Sequence, residues 1–183
     1  FDFTHAAHVL EHVDSPAQAI KELLRTSAAG YIETPSAVIE QCAFLDSKTP
    51  GWSFHRWYVW AFPDYQKIYF KPKTDGNAHQ YCGCKYGKKV SELAGMVNFA
   101  ELDAYIPYFA RMTQFPWKNE IRFEVWSDSQ TGVADSKYGC NCAYAAFFAN
   151  LSKYFKSWRY LEKRIRLKKK FPEVYKVIKA TLG

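Results

Sequence analysis

No glycine-rich cradle is written into this chain. Its nine glycines are scattered, and nowhere do two of them stand a single residue apart. A Gly-x-Gly turn, which lets backbone amides come up against a phosphate or a cofactor, is therefore absent from these residues. Long apolar runs are missing as well. The longest, Cys142 to Ala149, falls far short of a membrane span. There is no charged leader and no initiating methionine, and the chain opens inside a strand-like pattern with Phe1 and Phe3 around Asp2. That opening predicts a chain without a signal peptide, cut from a longer protein. Internal repeats are lacking too.

What is present points to a packed domain. An apolar fraction of 48% with 18% aromatics excludes disorder, and 183 residues can bury a sizeable core. Five cysteines (42, 82, 84, 140 and 142) without a secretory signal predict reduced thiols in the cytoplasm.

The first 36 residues are the most legible. Phe1 to Ala7 fits a short buried strand. Ser15-Pro16-Ala17-Gln18 has the layout of a capping box with proline at the first helical position. Ala17, Ile20, Leu23 and Leu24 then mark one helical face, and Gly30 is expected as its left-handed cap. Tyr31 to Thr34 reads as a second strand, stopped by Pro35. Strand, helix, strand over about thirty residues predicts a parallel βαβ unit.

Further on, Arg56 to Lys73 reads as two strands around a Pro63-Asp64 turn, and residues 74–89 as loop. A helix is expected over Ser91 to Tyr105, a strand over Glu120 to Ser127, and one long helix or two shorter ones over 143–170. The predicted class is α/β, divided at 1–128 and 129–183, the second part a basic helical extension.

Between the first strand and helix lies "HVLEHVDSP", with His8, Glu11 and His12 at i, i+3 and i+4. Three readings compete. An H-x-x-E-H zinc hydrolase needs the motif inside a helix, so that both imidazoles reach one ion. The Ser15-Pro16 cap starts a helix only three residues later and places the motif in a connection instead. The second reading makes the motif the wall of a ligand crevice beyond the carboxyl end of a strand. The third is structural, with Glu11 and His12 tying the connection to neighbouring backbone.

"FDFTHAAHVLEHVDSPAQAIKELLRTSAAGYIETPS" resembles the fourth strand, helix and fifth strand of class I S-adenosylmethionine-dependent methyltransferases of the HVLEHV type. The resemblance covers residues 1–36, about a fifth of the chain. It implies a partial Rossmann-like sheet running from strand four, with an antiparallel hairpin and a C-terminal helical extension. It implies S-adenosyl-L-methionine as cofactor, lined by Ala6, Ala7 and His8, and His8, Glu11 and His12 as the catalytic set. Some relatives hold a divalent metal with Glu-x-x-Glu-His here; His8 replaces the first glutamate, which argues against a hard-cation site. The glycine-rich turn that anchors the cofactor's other end in that family has no counterpart in these residues. The expected acceptor is a small molecule, a glycan or a lipid-linked intermediate.

Two features lie outside that resemblance. Cys82-Gly83-Cys84 and Cys140-Asn141-Cys142 could supply four thiolates to zinc, but zinc knuckles usually space cysteines by two to four residues. Buried, inert cysteines are the default expectation. Residues 151–179 hold eleven Lys/Arg against Glu162 and Glu173, a charge of +9 that leaves −2 for the rest of the chain. With the stripe of Leu151, Tyr154, Phe155, Trp158, Leu161 and Ile165, this predicts a terminal helix packed on the domain. The sharper reading is attraction to an anionic membrane surface, making the protein peripheral or a non-catalytic binding module; no motif for nucleic acid accompanies the charge. The aromatic hairpin residues Trp57, Tyr58, Trp60, Tyr69 and Phe70 suit a lid or, more simply, core, with His55 and Arg56 at their base.

Overall fold

The structure, a computed structural model, describes residues 1–44, 54–62, 66–74, 82–97, 101–102, 104–134, 137 and 139–182. Over these described residues it is a mixed α/β chain with two three-stranded sheets. The first sheet has the order β1 (Thr4–Ala7), β2 (Ala29–Pro35), β5 (Met112–Lys118); the second has β3 (Trp57–Phe62), β4 (Lys67–Pro72), β6 (Arg122–Val125).

The parallel strand–helix–strand unit forms as expected. β1 pairs parallel with β2, Thr4 opposite Gly30 and Ala7 opposite Glu33. Between them runs α1 (Pro16–Thr26), with Pro16 in its first turn and the Ser15 hydroxyl accepting from the Gln18 amide at 3.3 Å. Ile20 is wholly buried on the face that the periodicity marks, with Leu23 and Leu24 partly buried beside it. The first strand is shorter than its apolar pattern, because Phe1 and Phe3 stand exposed ahead of it.

Gly30 has a different task from the expected one. α1 ends at Thr26 with Ser27, in extended conformation, as its cap, and Gly30 lies inside β2. A Cβ there would run into the Thr4 carbonyl and come within 2.7 Å of the Trp117 ring. The residue is glycine because the flanking strands leave no room for a side chain.

β5 completes the first sheet antiparallel to β2, in register from Ala29–Lys118 to Pro35–Met112. No alternation announced it, and Pro116 speaks against a central strand. At the sheet's edge a missing N–H costs no ladder bond, which is where proline is tolerated. The hairpin of β3 and β4 is antiparallel as predicted, while its Pro63-Asp64 turn lies outside the described residues. β6 joins β4 in parallel.

Period-two alternation assigns the hairpin's two faces to two cores. Val59, Ala61, Ile68 and Phe70 face the first sheet, packing with Ile32, Phe115 and Trp117. Tyr58, Trp60, Phe62 and Tyr69 face a larger helical core. Trp60 stacks on Tyr69 at 5.4 Å between centroids and meets Trp126 edge-on at 4.8 Å. These aromatics are therefore core rather than lid. The two sheets are also stitched together where the Thr113 hydroxyl donates to the Val59 carbonyl at 2.9 Å.

The helices are α2 (Ala37–Phe44), α3 (Lys85–Ala94), α4 (Tyr108–Arg111), α5 (Ala143–Lys156), α6 (Leu161–Lys170) and α7 (Pro172–Leu182). α3 begins six residues before the predicted helix, because Cys84 caps it, and stops at Gly95. Residues 98–100 and 103 of that predicted span lie outside the described residues. The long helical stretch over 143–170 breaks at Ser157 into α5, a 3₁₀ turn (Trp158–Tyr160) and α6. Among the described residues no helix is long and apolar enough to cross a membrane.

Candidate functional site

β1 and β2 end side by side, and the predicted motif begins there. His8 follows β1 with a φ of 54°, and its N–H donates to the Glu33 carbonyl at 2.9 Å. This left-handed residue turns the chain out of the sheet, and the His12 amide closes the next turn on the Val9 carbonyl at 3.0 Å. The motif lies in a connection and not in a helix, as the Ser15-Pro16 cap implies. Leu10 and Glu11 point inward and are buried, while His8 and His12 face solvent. The Glu11 carbonyl accepts from the Arg56 amide at 2.7 Å and from the Trp57 amide at 3.2 Å, which fastens the hairpin onto the motif. Arg56 adds an ion pair to Asp14 at the surface.

Glu11 is the unusual member. It is fully buried, and neither carboxylate oxygen makes a hydrogen bond. His8 Nδ1 lies 3.4 Å from Oε1, an ion-pair distance without hydrogen-bond geometry. Burial pushes this carboxyl above the ordinary carboxylate range, against the opposing pull of its own backbone amide and of the imidazoles of His55, His12 and His8.

His55 enters from the segment ahead of β3. Its ring is edge-on to His12 at 4.5 Å, and its Nδ1 lies 2.9 Å from Glu40 Oε1. Lys73 Nζ donates to the same oxygen at 2.8 Å. The side chains that could share one ion here are Glu11, His12 and His55, whose ligand atoms all lie within 4.8 Å of one another. His8, required by the H-x-x-E-H arrangement, is not in that group. One carboxylate and two imidazoles suit a borderline divalent ion such as zinc, with Glu40 orienting His55 from behind.

Beside this cluster, Glu33 sits in a nest of donors. Tyr108 Oη donates to Oε1 at 2.5 Å, and Tyr31 Oη and Gln114 Nε2 donate to Oε2 at 2.8 and 3.0 Å. Burial works against its charge, but the bonds from Tyr108, Gln114 and Tyr31 outweigh it and hold the carboxyl below its ordinary value. Ala6 is buried and Ala7 partly so, with Ala7 paired to Glu33 across the parallel strands. Of the sequence-predicted residues, Ala6 and Ala7 end β1 with Ala6 packed in the core, and His8, Glu11 and His12 follow in the connection, Glu11 buried and the two histidines exposed.

His55 was visible in the sequence only as a residue at the hairpin's base. Glu40 and Gln114 carried no signal, because α2 has a weak pattern and β5 has none; Glu33 lies in the strand read at Tyr31 to Thr34, but its donors come from distant segments.

A second cluster lies in the helical core. Cys82 and Cys140 are 3.6 Å apart at sulfur, as are Cys84 and Cys142, and all four sulfurs fall within 4.8 Å of one another. None is in a disulfide. The neighbouring Cys142 thiol holds Cys82 and Cys84 below the ordinary thiol range, while burial pushes Cys140 above it. The side chain of Cys42 lies outside the described residues.

Comparison with protein-family models, with curated proteins and with solved structures found no match to this chain.

Proposed function

We propose that this chain is part of a class I S-adenosylmethionine-dependent methyltransferase, its first sheet being the stretch of a Rossmann-like sheet from strand four onward. The observation that carries the reading is His8 at the carboxyl end of a parallel strand, where open α/β sheets bind ligands, with a buried carboxylate behind it. Among the described residues β1 has a strand on one side only, an edge at which a sheet can continue.

S-adenosyl-L-methionine would supply an electrophilic methyl group on a sulfonium. The residues present suit that end of the cofactor only in part: Ala6 and Ala7 are small side chains at the strand end, Ala6 packed in the core, and no Gly-x-Gly is present for the other end. With Nδ1 turned toward Glu11, His8 offers Nε2 to take the proton of an acceptor hydroxyl. Glu11 stabilises the imidazolium that results. His12 and His55 stand beside Glu11, and Glu33 with Tyr108 and Gln114 offers a polar wall for the acceptor.

The C-terminal region supports an acceptor at a lipid surface. Leu151 and Tyr154 are buried, but Trp158, Leu161 and Ile165 are 80%, 54% and 57% exposed beside the lysines and arginines of α6. An apolar ridge within a basic face fits an anionic membrane and so a lipid-linked substrate.

Calorimetry with S-adenosylhomocysteine on the full-length gene product tests the reading. Saturable one-to-one binding, weakened by bulky Ala7→Leu, is expected; no heat from a well-folded full-length protein would refute it.

A further inference from the structure

We infer that Cys82, Cys84, Cys140 and Cys142 form a structural site for one tetrahedral zinc ion that staples the helical layer together. The inference is independent of the methyltransferase reading and of the strand-edge site.

The spacing of the sulfurs decides between the chemistries open to four cysteines. A covalent S–S bond is about 2.05 Å, far shorter than the 3.6 Å found in both close pairs. A zinc–thiolate bond of about 2.3 Å in a regular tetrahedron sets sulfur–sulfur edges of about 3.8 Å. The close pairs are at that edge length, and every other pair is within 4.8 Å. A cluster of several irons with bridging sulfides needs more room between its thiolates, so the cage fits one ion.

Inert core cysteines do not require such convergence. Two segments 58 residues apart bring all four sulfurs to one point, and three of the four residues are buried. Each pair leads into a helix: Cys84 caps α3 and Cys142 caps α5. In the first turn of α3 the Gly87 N–H lies 3.5 Å from Cys84 Sγ, which favours thiolate over thiol there. This capping also removes the objection to a one-residue spacing. In Cys-x-Cys both sulfurs can face one ion when the second cysteine turns into a helix.

The backbone is pressed against the cage. A Cβ at Gly132 would run into Cys140 Sγ and come within 2.6 Å of Cys142 Cβ, and one at Gly87 would meet the Cys82 carbonyl. Asn141 is pinned on both sides, its N–H on the Val133 carbonyl at 3.1 Å and its Oδ1 accepting from the Val133 amide at 2.9 Å. Lys71 lines the same cavity and offsets part of the charge of four thiolates. Four thiolates leave no open coordination position, so the ion is structural and not catalytic.

Elemental analysis of the protein purified under reducing conditions tests this. One zinc per chain is expected, released by four equivalents of a mercurial, and falling to below a tenth in Cys84→Ser and Cys140→Ser. Should those variants fail to fold, cobalt substitution of the wild type gives a second readout: intense sulfur-to-cobalt charge transfer with tetrahedral d–d bands. Folded, reduced protein that takes up neither zinc nor cobalt would overturn the inference. So would a native mass four hydrogens light, which means two disulfides, or one iron per chain in place of zinc.

Discussion

His55 Nδ1 and Glu40 Oε1 lie 2.9 Å apart with both side chains almost wholly out of solvent. Lys73 is buried against the same carboxylate, so a single anion holds an imidazole and an ammonium beneath the strand-edge site. Removing the anion takes a carboxylate away from a buried ammonium. Glu40→Ala should destabilise the fold by about 3–5 kcal/mol, and Glu40→Leu combined with Lys73→Met should recover most of that loss. Denaturant midpoints measure both; a Glu40→Ala variant as stable as the wild type would show that the buried group is not held by charge.

Glu11 makes an opposite prediction. Its folded pKa is raised, so the folded state binds the proton more tightly than the unfolded one. The stability linked to this group is full below the ordinary carboxylate value and is lost as pH rises through the folded value. Glu11→Gln should therefore gain stability relative to wild type between mildly acidic and neutral pH, and flatten the profile there. Thermal unfolding across pH 4 to 8 checks it. A wild type that grows steadily more stable than Glu11→Gln over that range contradicts the buried, unsatisfied carboxylate.

His8 separates function from stability. A residue at φ 54° other than glycine bears backbone strain. His8→Gly should leave the fold as stable or about 1 kcal/mol more so, while on the proposed methyltransferase reading transfer to a hydroxyl acceptor falls by about 10²–10⁴-fold in the full-length protein. Exogenous imidazole should restore part of the rate. Transfer that survives His8→Gly would move the base elsewhere.

The exposed ridge on the C-terminal helices predicts sedimentation with vesicles containing about a quarter phosphatidylserine and little binding to neutral ones. Trp158→Ser with Ile165→Ser should weaken binding several-fold without changing the unfolding midpoint, because both side chains already face solvent. Raising salt should weaken it as well. Equal binding to neutral vesicles would count against an anionic surface.

Local chemistry is why the first thirty-six residues could be read so far in advance. Ser15, Pro16 and Gln18 cap α1 within four residues of one another, and Ile20, Leu23 and Leu24 mark its buried face one turn apart. The hairpin was legible because alternation along Trp57–Phe62 and Lys67–Pro72 is a property of each strand by itself. Gly30 was visible as a glycine, but the reason for it is the Thr4 backbone and the Trp117 ring on strands to either side. β5 was silent because an edge strand with proline meets its constraints only through β2.

The sequence alone determined the βαβ unit, the hairpin, the basic C-terminal region and the placement of His8, Glu11 and His12 at a strand's end. Each is set by contacts within a few residues, which capping, alternation and charge report directly. Tertiary structure alone decided that His55 and not His8 joins Glu11 and His12, that Glu40 stands behind it, and that two Cys-x-Cys pairs share one point. Those meetings depend on how distant segments close over a common core, and a pattern read one window at a time contains no term for that closure.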